Sequence, residues 1–195
     1  MNRILSALPL FLALSCVSYA TPITFAGVLS GPNENPSTGS PGTGSAVVTY
    51  DSSTHLLTVD VVFSGLEAAT TASHIHCCIA PPGNAGVATT TPSFVGFPLG
   101  VTSGTFVSTL DLTAASSFNP AFVAANGATV AAAEAALAAG LEGDMAYLNI
   151  HTTAFPNGEV RAFLVAVPEP DSIALALAGL SGLLLLHRGL RRRRT

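Results

Sequence analysis

Apolar and polar positions alternate along most of the middle of this chain. Leu57, Val59, Val61 and Phe63 are interleaved with Thr58, Asp60 and Val62, the two-residue period of a strand with one buried face. Similar β-branched and apolar runs recur at Ile23–Leu29, Ala46–Tyr50, His74–Ile79, Thr105–Leu112, Met145–His151 and Val160–Val165. Turn-forming stretches separate them. Asn33 to Gly44 is rich in Gly, Pro and Ser, Pro81-Pro82-Gly83-Asn84 reads as a turn, and Pro92 to Gly104 is a longer connection. Many short strands between such breaks predict an all-β fold, a single antiparallel β-sandwich of immunoglobulin-like or barrel-like form. One segment departs from the pattern. Thr129 to Leu141 is more than half alanine, which predicts one short inserted surface helix with Gly140 as its stop.

Both ends of the chain are apolar without alternation. Ile4 to Val17 follows the basic start Met1-Asn2-Arg3 and precedes the small residues Ser18-Tyr19-Ala20. That is the layout of a secretory signal peptide spanning residues 1–20, cut by signal peptidase after Ala20. Ile173 to Leu186 carries no charge, holds seven leucines and runs into Arg188, Arg191, Arg192, Arg193 and Arg194. With its flanks it forms a short membrane-spanning helix, about 17–20 residues being the usual requirement. Arginines on one side only predict that this end stays cytoplasmic. Between the two ends lies a β domain, residues 21–166, followed by a tail over 167–195.

The charge balance looks different once the ends are set aside. From Thr21 to Val167 nine carboxylates face a single cation, Arg161, a net charge of −8 with histidines neutral. Binding to a phosphate backbone needs lysine and arginine, so nucleic acid is excluded as a partner. As the lone cation, Arg161 is expected to hold the closing strand by pairing with an acid. Glu159, two residues earlier, shares its strand face, and both are expected near Asn149.

Chemistry is concentrated in few residues. His74 and His76 are two apart in a strand, so their imidazoles share a face. His151 ends another predicted strand. Three imidazoles suit copper or zinc. Cys78 would share the face of His76 and is a candidate fourth ligand, unless it is blocked by a vicinal disulfide with Cys77. The competing reading is that these histidines are hydrogen-bonded and organise strand ends. No Gly-x-Ser-x-Gly elbow and no phosphate-binding glycine loop occur, so hydrolase and nucleotide chemistry have no support and no catalytic residue is assigned.

Two resemblances organise these features. Val167-Pro168-Glu169-Pro170, the apolar run and the arginine cluster resemble the PEP-CTERM sorting signal of Gram-negative bacteria. The resemblance implies export, transient anchoring in the inner membrane and processing by an exosortase-type enzyme. The destination it implies is the cell surface or an exopolysaccharide matrix. The segment from Phe25 to Val165 resembles a CHRD domain. The matching runs are Phe25–Gly31, Asn33-Glu34-Asn35-Pro36, Gly42–Ala46, Ala72–His76, Gly83–Val87, Ala146–Thr152 and Pro156–Arg161. That family implies a β-sandwich, an extracellular role and no established catalytic residues. Gly65-Leu66 followed by His74-Ile75-His76 also looks similar to the copper-binding strand of copper-zinc superoxide dismutases. The dinuclear site of those enzymes needs six histidines and an aspartate, and the β domain has four histidines. The expectation is therefore an exported, non-catalytic envelope domain, with a mononuclear copper or zinc protein as the alternative.

Overall fold

The computed structural model describes residues 21–168. The predicted signal peptide lies outside them. So do Glu169, Pro170, the hydrophobic run and Arg188, Arg191, Arg192, Arg193 and Arg194. In chain order the elements are β1 (Ile23–Ser30), β2 (Thr43–Asp51), β3 (Leu56–Ser64), β4 (Thr70–Cys77), β5 (Gly86–Val87), β6 (Gly104–Asp111), α1 (Pro120–Ala125), α2 (Val130–Glu142), β7 (Ala146–Thr152), β8 (Val160–Phe163) and β9 (Val165–Ala166). The fold is all-β. The strands take the barrel-like form: one antiparallel sheet, ordered β5-β4-β7-β8-β1-β2-β3-β6, curls into a half-barrel, and β9 pairs with β1. Among the described residues no helix is long and apolar enough to cross a membrane.

One half of the sheet obeys simple alternation. In β3, Leu57, Val59, Val61 and Phe63 are buried, while Thr58, Asp60 and Val62 point to the other face. Ala46, Val48 and Tyr50 of β2 and Phe106 and Leu110 of β6 line the same inner face. Phe63, Phe94, Phe97 and Phe106 form an aromatic cluster there, with ring centroids 5.3–5.6 Å apart. Such offset and edge contacts add to the apolar area they bury.

The helix α2 closes the inner face. Thr129 caps it by accepting from the Ala132 N–H at 3.2 Å. Ala133, Leu137 and Leu141 are fully buried, so the helix is part of the core and not the surface element its composition predicts. It also runs through Gly140 to Glu142, with Gly143 as its cap. Gly140 is there for clearance: a methyl group would overlap the sulfur of Cys77 and crowd that of Cys78. The six-residue α1, too short to show a period, was not expected.

The other half of the sheet is buried on both faces. In β4, Ser73, Ile75 and Cys77 face the core, yet His74 and His76 are also buried. The same holds for β7. Loops fold over this second face and make it a polar layer in which His74, His76, Asn149 and Arg161 are buried and His151 is partly buried.

Candidate metal centre

Register decides which side chains meet in that layer. His74 pairs with Asn149, His76 with Tyr147 and Ala72 with His151 across β4 and β7. Directly opposed residues of antiparallel strands place their side chains on one face. Across β7 and β8, Asn149 pairs with Arg161 and Tyr147 with Phe163. The face therefore carries His74, His76, His151, Tyr147, Asn149 and Arg161 side by side.

The three imidazoles converge. Ring centroids are 5.8 Å apart for His74–His76, 5.1 Å for His74–His151 and 5.9 Å for His76–His151. One ring nitrogen of each lies within 4.8 Å of the others. The opposite nitrogen of each ring meets a backbone carbonyl. His74 Nε2 reaches the Pro92 oxygen at 2.5 Å, His76 Nδ1 that of Ala85 at 2.9 Å, and His151 Nδ1 that of Pro156 at 2.9 Å. A carbonyl oxygen only accepts, so each of those nitrogens carries the proton. The tautomers follow: His74 Nδ1, His76 Nε2 and His151 Nε2 keep their lone pairs, and all three are buried without a partner. Leaving buried acceptors unpaired is costly, commonly 1–3 kcal/mol each, about. Backbone-anchored imidazoles with free lone pairs aimed together are the arrangement of a metal site with its supporting hydrogen bonds in place.

Electrostatics keeps these rings neutral. Burial is the main cause of a lowered pKa in each. His76 is pulled down to about 4, with the charges of His151, His74 and Arg161 adding to the effect. His74 is lowered by burial and by His151, against the Pro92 hydrogen bond, and His151 by burial against that of Pro156. Neutral imidazole is the ligating form, so protons compete weakly for the site near neutral pH. Zinc–nitrogen bonds of 2.0–2.1 Å set tetrahedral nitrogens about 3.4 Å apart, so an ion would draw the rings together by an ångström or so.

Cys78 does not belong to this group. Its sulfur is bonded to that of Cys77, and it faces the Ala136 carbonyl of α2 at 3.4 Å. The pairing consumes the thiolate that a fourth ligand requires. The fourth histidine of the domain is elsewhere as well. His55 Nδ1 meets the Glu134 carboxylate at 2.8 Å, where the Tyr50 hydroxyl also donates at 2.8 Å.

Arg161 and Glu159 do separate jobs. Arg161 Nε donates to Glu34 Oε2 at 2.8 Å, and its Nη2 to Asn84 Oδ1 at 2.7 Å. The guanidinium lies 4.2 Å over the Tyr147 ring, which also stacks on His76 at 4.9 Å. Arg161 thus backs the histidine cluster through one aromatic ring. Asn149 Nδ2 donates to Glu34 Oε1 at 2.9 Å, which completes the pairing of that carboxylate. Glu159 is fully buried and, among the described residues, has no cation beside it. Its oxygens accept from Ser40 Oγ, Thr152 Oγ1 and the Glu67 N–H, each at 2.6 Å. Glu34 was hidden in the sequence among nine acids, although Asn33-Glu34-Asn35-Pro36 is one of the runs that resemble the CHRD domain.

The family model of the CHRD domain matches residues 25–164, and that of the PEP-CTERM protein-sorting motif matches residues 166–194. No curated protein and no solved structure matches the chain.

Proposed function

As the chain belongs to the CHRD domain family and ends in a PEP-CTERM sorting motif, we propose that it is a non-catalytic envelope protein whose β domain holds one copper or zinc ion on His74, His76 and His151. The sorting motif makes it an exported protein handled by an exosortase-type enzyme. The metal reading rests on one observation: three buried imidazole nitrogens, free of any partner, lie together while their opposite nitrogens are held by carbonyls. A purely structural role for these histidines would use both nitrogens of each ring or leave the second one in water.

The non-catalytic part rests on access. The three free nitrogens are buried, and catalytic metal sites keep an open coordination position. A closed site of neutral ligands suits retention of an ion or stabilisation of the fold. Among the described residues a dinuclear superoxide dismutase-like centre finds no second ligand set, His55 being engaged with Glu134. After transient inner-membrane anchoring, the destination is the cell surface or the exopolysaccharide matrix. The net charge of −8 on the exported domain favours a neutral polymer over an anionic one as its surroundings.

Two measurements on the protein from its native host test this reading. Purified without a histidine tag, it should carry about one equivalent of copper or zinc, the stoichiometry of a single three-histidine site. A preparation free of both metals after growth in their presence contradicts the metal centre. Mass spectrometry should show loss of the C-terminal arginines, and a surface protein that retains Arg191–Thr195 contradicts the processing.

A further inference from the structure

The described residues contain four buried side-chain atoms with no hydrogen-bond partner. Three are the free nitrogens of His74, His76 and His151, and the fourth is Asn149 Oδ1. Asn149 is the register partner of His74 and stands two residues from His151, on the same face of β7. All four unpaired atoms therefore belong to one patch of the polar layer.

The amide has a fixed orientation. Its Nδ2 donates to Glu34 Oε1 at 2.9 Å, and the other oxygen of Glu34 accepts from Arg161 on β8 at 2.8 Å. A carboxylate only accepts, so a flipped amide would set two oxygens against each other. Gly158 packs over the amide so closely that a Cβ there would overlap Asn149 Nδ2 and press on Oδ1 and Glu34. Gly158 has φ +124°, a conformation glycine adopts freely. The chain thus gives up a side chain at 158 and orders Glu34 and Arg161 behind the amide, yet leaves its carbonyl oxygen with nothing to accept from. Asn149 itself is 1% exposed, so water does not fill the gap from outside.

We infer that Asn149 Oδ1 is the fourth ligand of the metal centre, completing a neutral set of three nitrogens and one oxygen. The inference rests on the three-histidine reading above. With Nδ2 committed to Glu34, the unpaired Oδ1 belongs to a side chain that stands directly opposite His74 and two residues from His151, on the face the three rings occupy. Four protein ligands satisfy tetrahedral zinc without a bound water. An amide oxygen is a hard donor, and three imidazoles with such an oxygen suit divalent zinc or copper over copper(I), which favours sulfur ligands. The Arg161–Glu34–Asn149 chain then becomes the support that aims the oxygen.

The full-length chain, purified untagged and stripped of metal, provides the test. Zinc is titrated by calorimetry into the parent, Asn149→Leu and the His74→Ala, His76→Ala double variant. Asn149→Leu should bind about 10–100-fold more weakly, the range for losing a supporting group at a metal site. In the parent, zinc should shift the side-chain carbonyl ¹³C and amide resonances of Asn149, a readout that does not depend on any variant folding. Zinc binding that the double variant loses and Asn149→Leu keeps unchanged, with no shift of the Asn149 resonances, overturns this inference alone. Absence of zinc binding to the parent overturns the three-histidine centre and the fourth ligand together.

Discussion

Replacing Arg161 with alanine should be among the most damaging single changes in the domain. The side chains of Arg161 and Glu34 are each only 2% exposed, and their charges meet at 2.8 Å. Truncation removes the bonds to Glu34 and Asn84 and the stack on Tyr147, and it strands a carboxylate in a dry layer. Breaking a buried pair in this way costs about 3–5 kcal/mol. For a domain of this size each kcal/mol moves the melting temperature by about 2–4 °C, so the loss should be roughly 6–20 °C. The pH dependence identifies the cause. Burial raises the pKa of Glu34 even with Arg161 opposing it, and without the guanidinium the pKa rises further. A raised carboxyl pKa means that the folded state binds a proton the unfolded chain has released. The stability of the variant therefore falls as pH rises above the unfolded value of 4.5, and the gap between parent and variant narrows as pH drops from 7.5 to 5. Thermal melts of both proteins at several pH values measure this gap. A melt of Arg161→Ala within a degree of the parent at pH 7.5, or a gap that widens on acidification, refutes the reasoning.

Three further outcomes follow from the same geometry. Metal-free protein should lose stability as pH falls below 6.5. The unfolded chain takes up a proton that the fold withholds from His76 down to about 4, a difference worth about 3 kcal/mol at pH 4. Urea midpoints should decline less steeply in His76→Gln, and parallel declines would contradict the shift. Gly140→Ala should destabilise by about 1–3 kcal/mol, because overlap with the Cys77–Cys78 disulfide outweighs the roughly 1 kcal/mol of helix propensity gained. A raised urea midpoint would show that the disulfide has room to move. Glu159→Leu should cost about 3 kcal/mol or more, since it removes three hydrogen bonds to the carboxyl group and leaves the buried Ser40 and Thr152 hydroxyl protons and the Glu67 N–H without an acceptor, and a calorimetric melt reads it directly.

What was legible in the sequence depended on local period. β2 and β3 bury one face each, and Leu57, Val59, Val61 and Phe63 announce it. β4 and β7 are buried on both faces, so their strand character shows while the role of the second face does not. His74-Ile75-His76 revealed a shared face, but only the β4–β7 register brings His151 to it. The anchoring of the rings was invisible, because Pro92, Ala85 and Pro156 contribute backbone carbonyls that carry no side-chain signal. The partner of Arg161 lies 127 residues away in the chain, and charge alone could not select Glu34 from nine acids. Gly140 reads as a helix stop by propensity, and a tertiary clash reverses that meaning. The sequence left open whether Cys78 is a ligand or is bonded to Cys77. The two-residue spacing from His76 pointed Cys78 to the face of the histidines, while its sulfur is bonded to Cys77 and faces α2.

The central claim is that His74, His76 and His151 hold one ion. Calorimetric titration of copper and zinc into metal-free protein tests it most directly, with the His74→Ala, His76→Ala double variant alongside. The parent should bind one equivalent with micromolar or tighter affinity, and the double variant should lose that binding. Parent affinity no better than about millimolar, or about 4 kcal/mol of binding free energy, would contradict the claim. So would an isotherm that the double variant leaves unchanged.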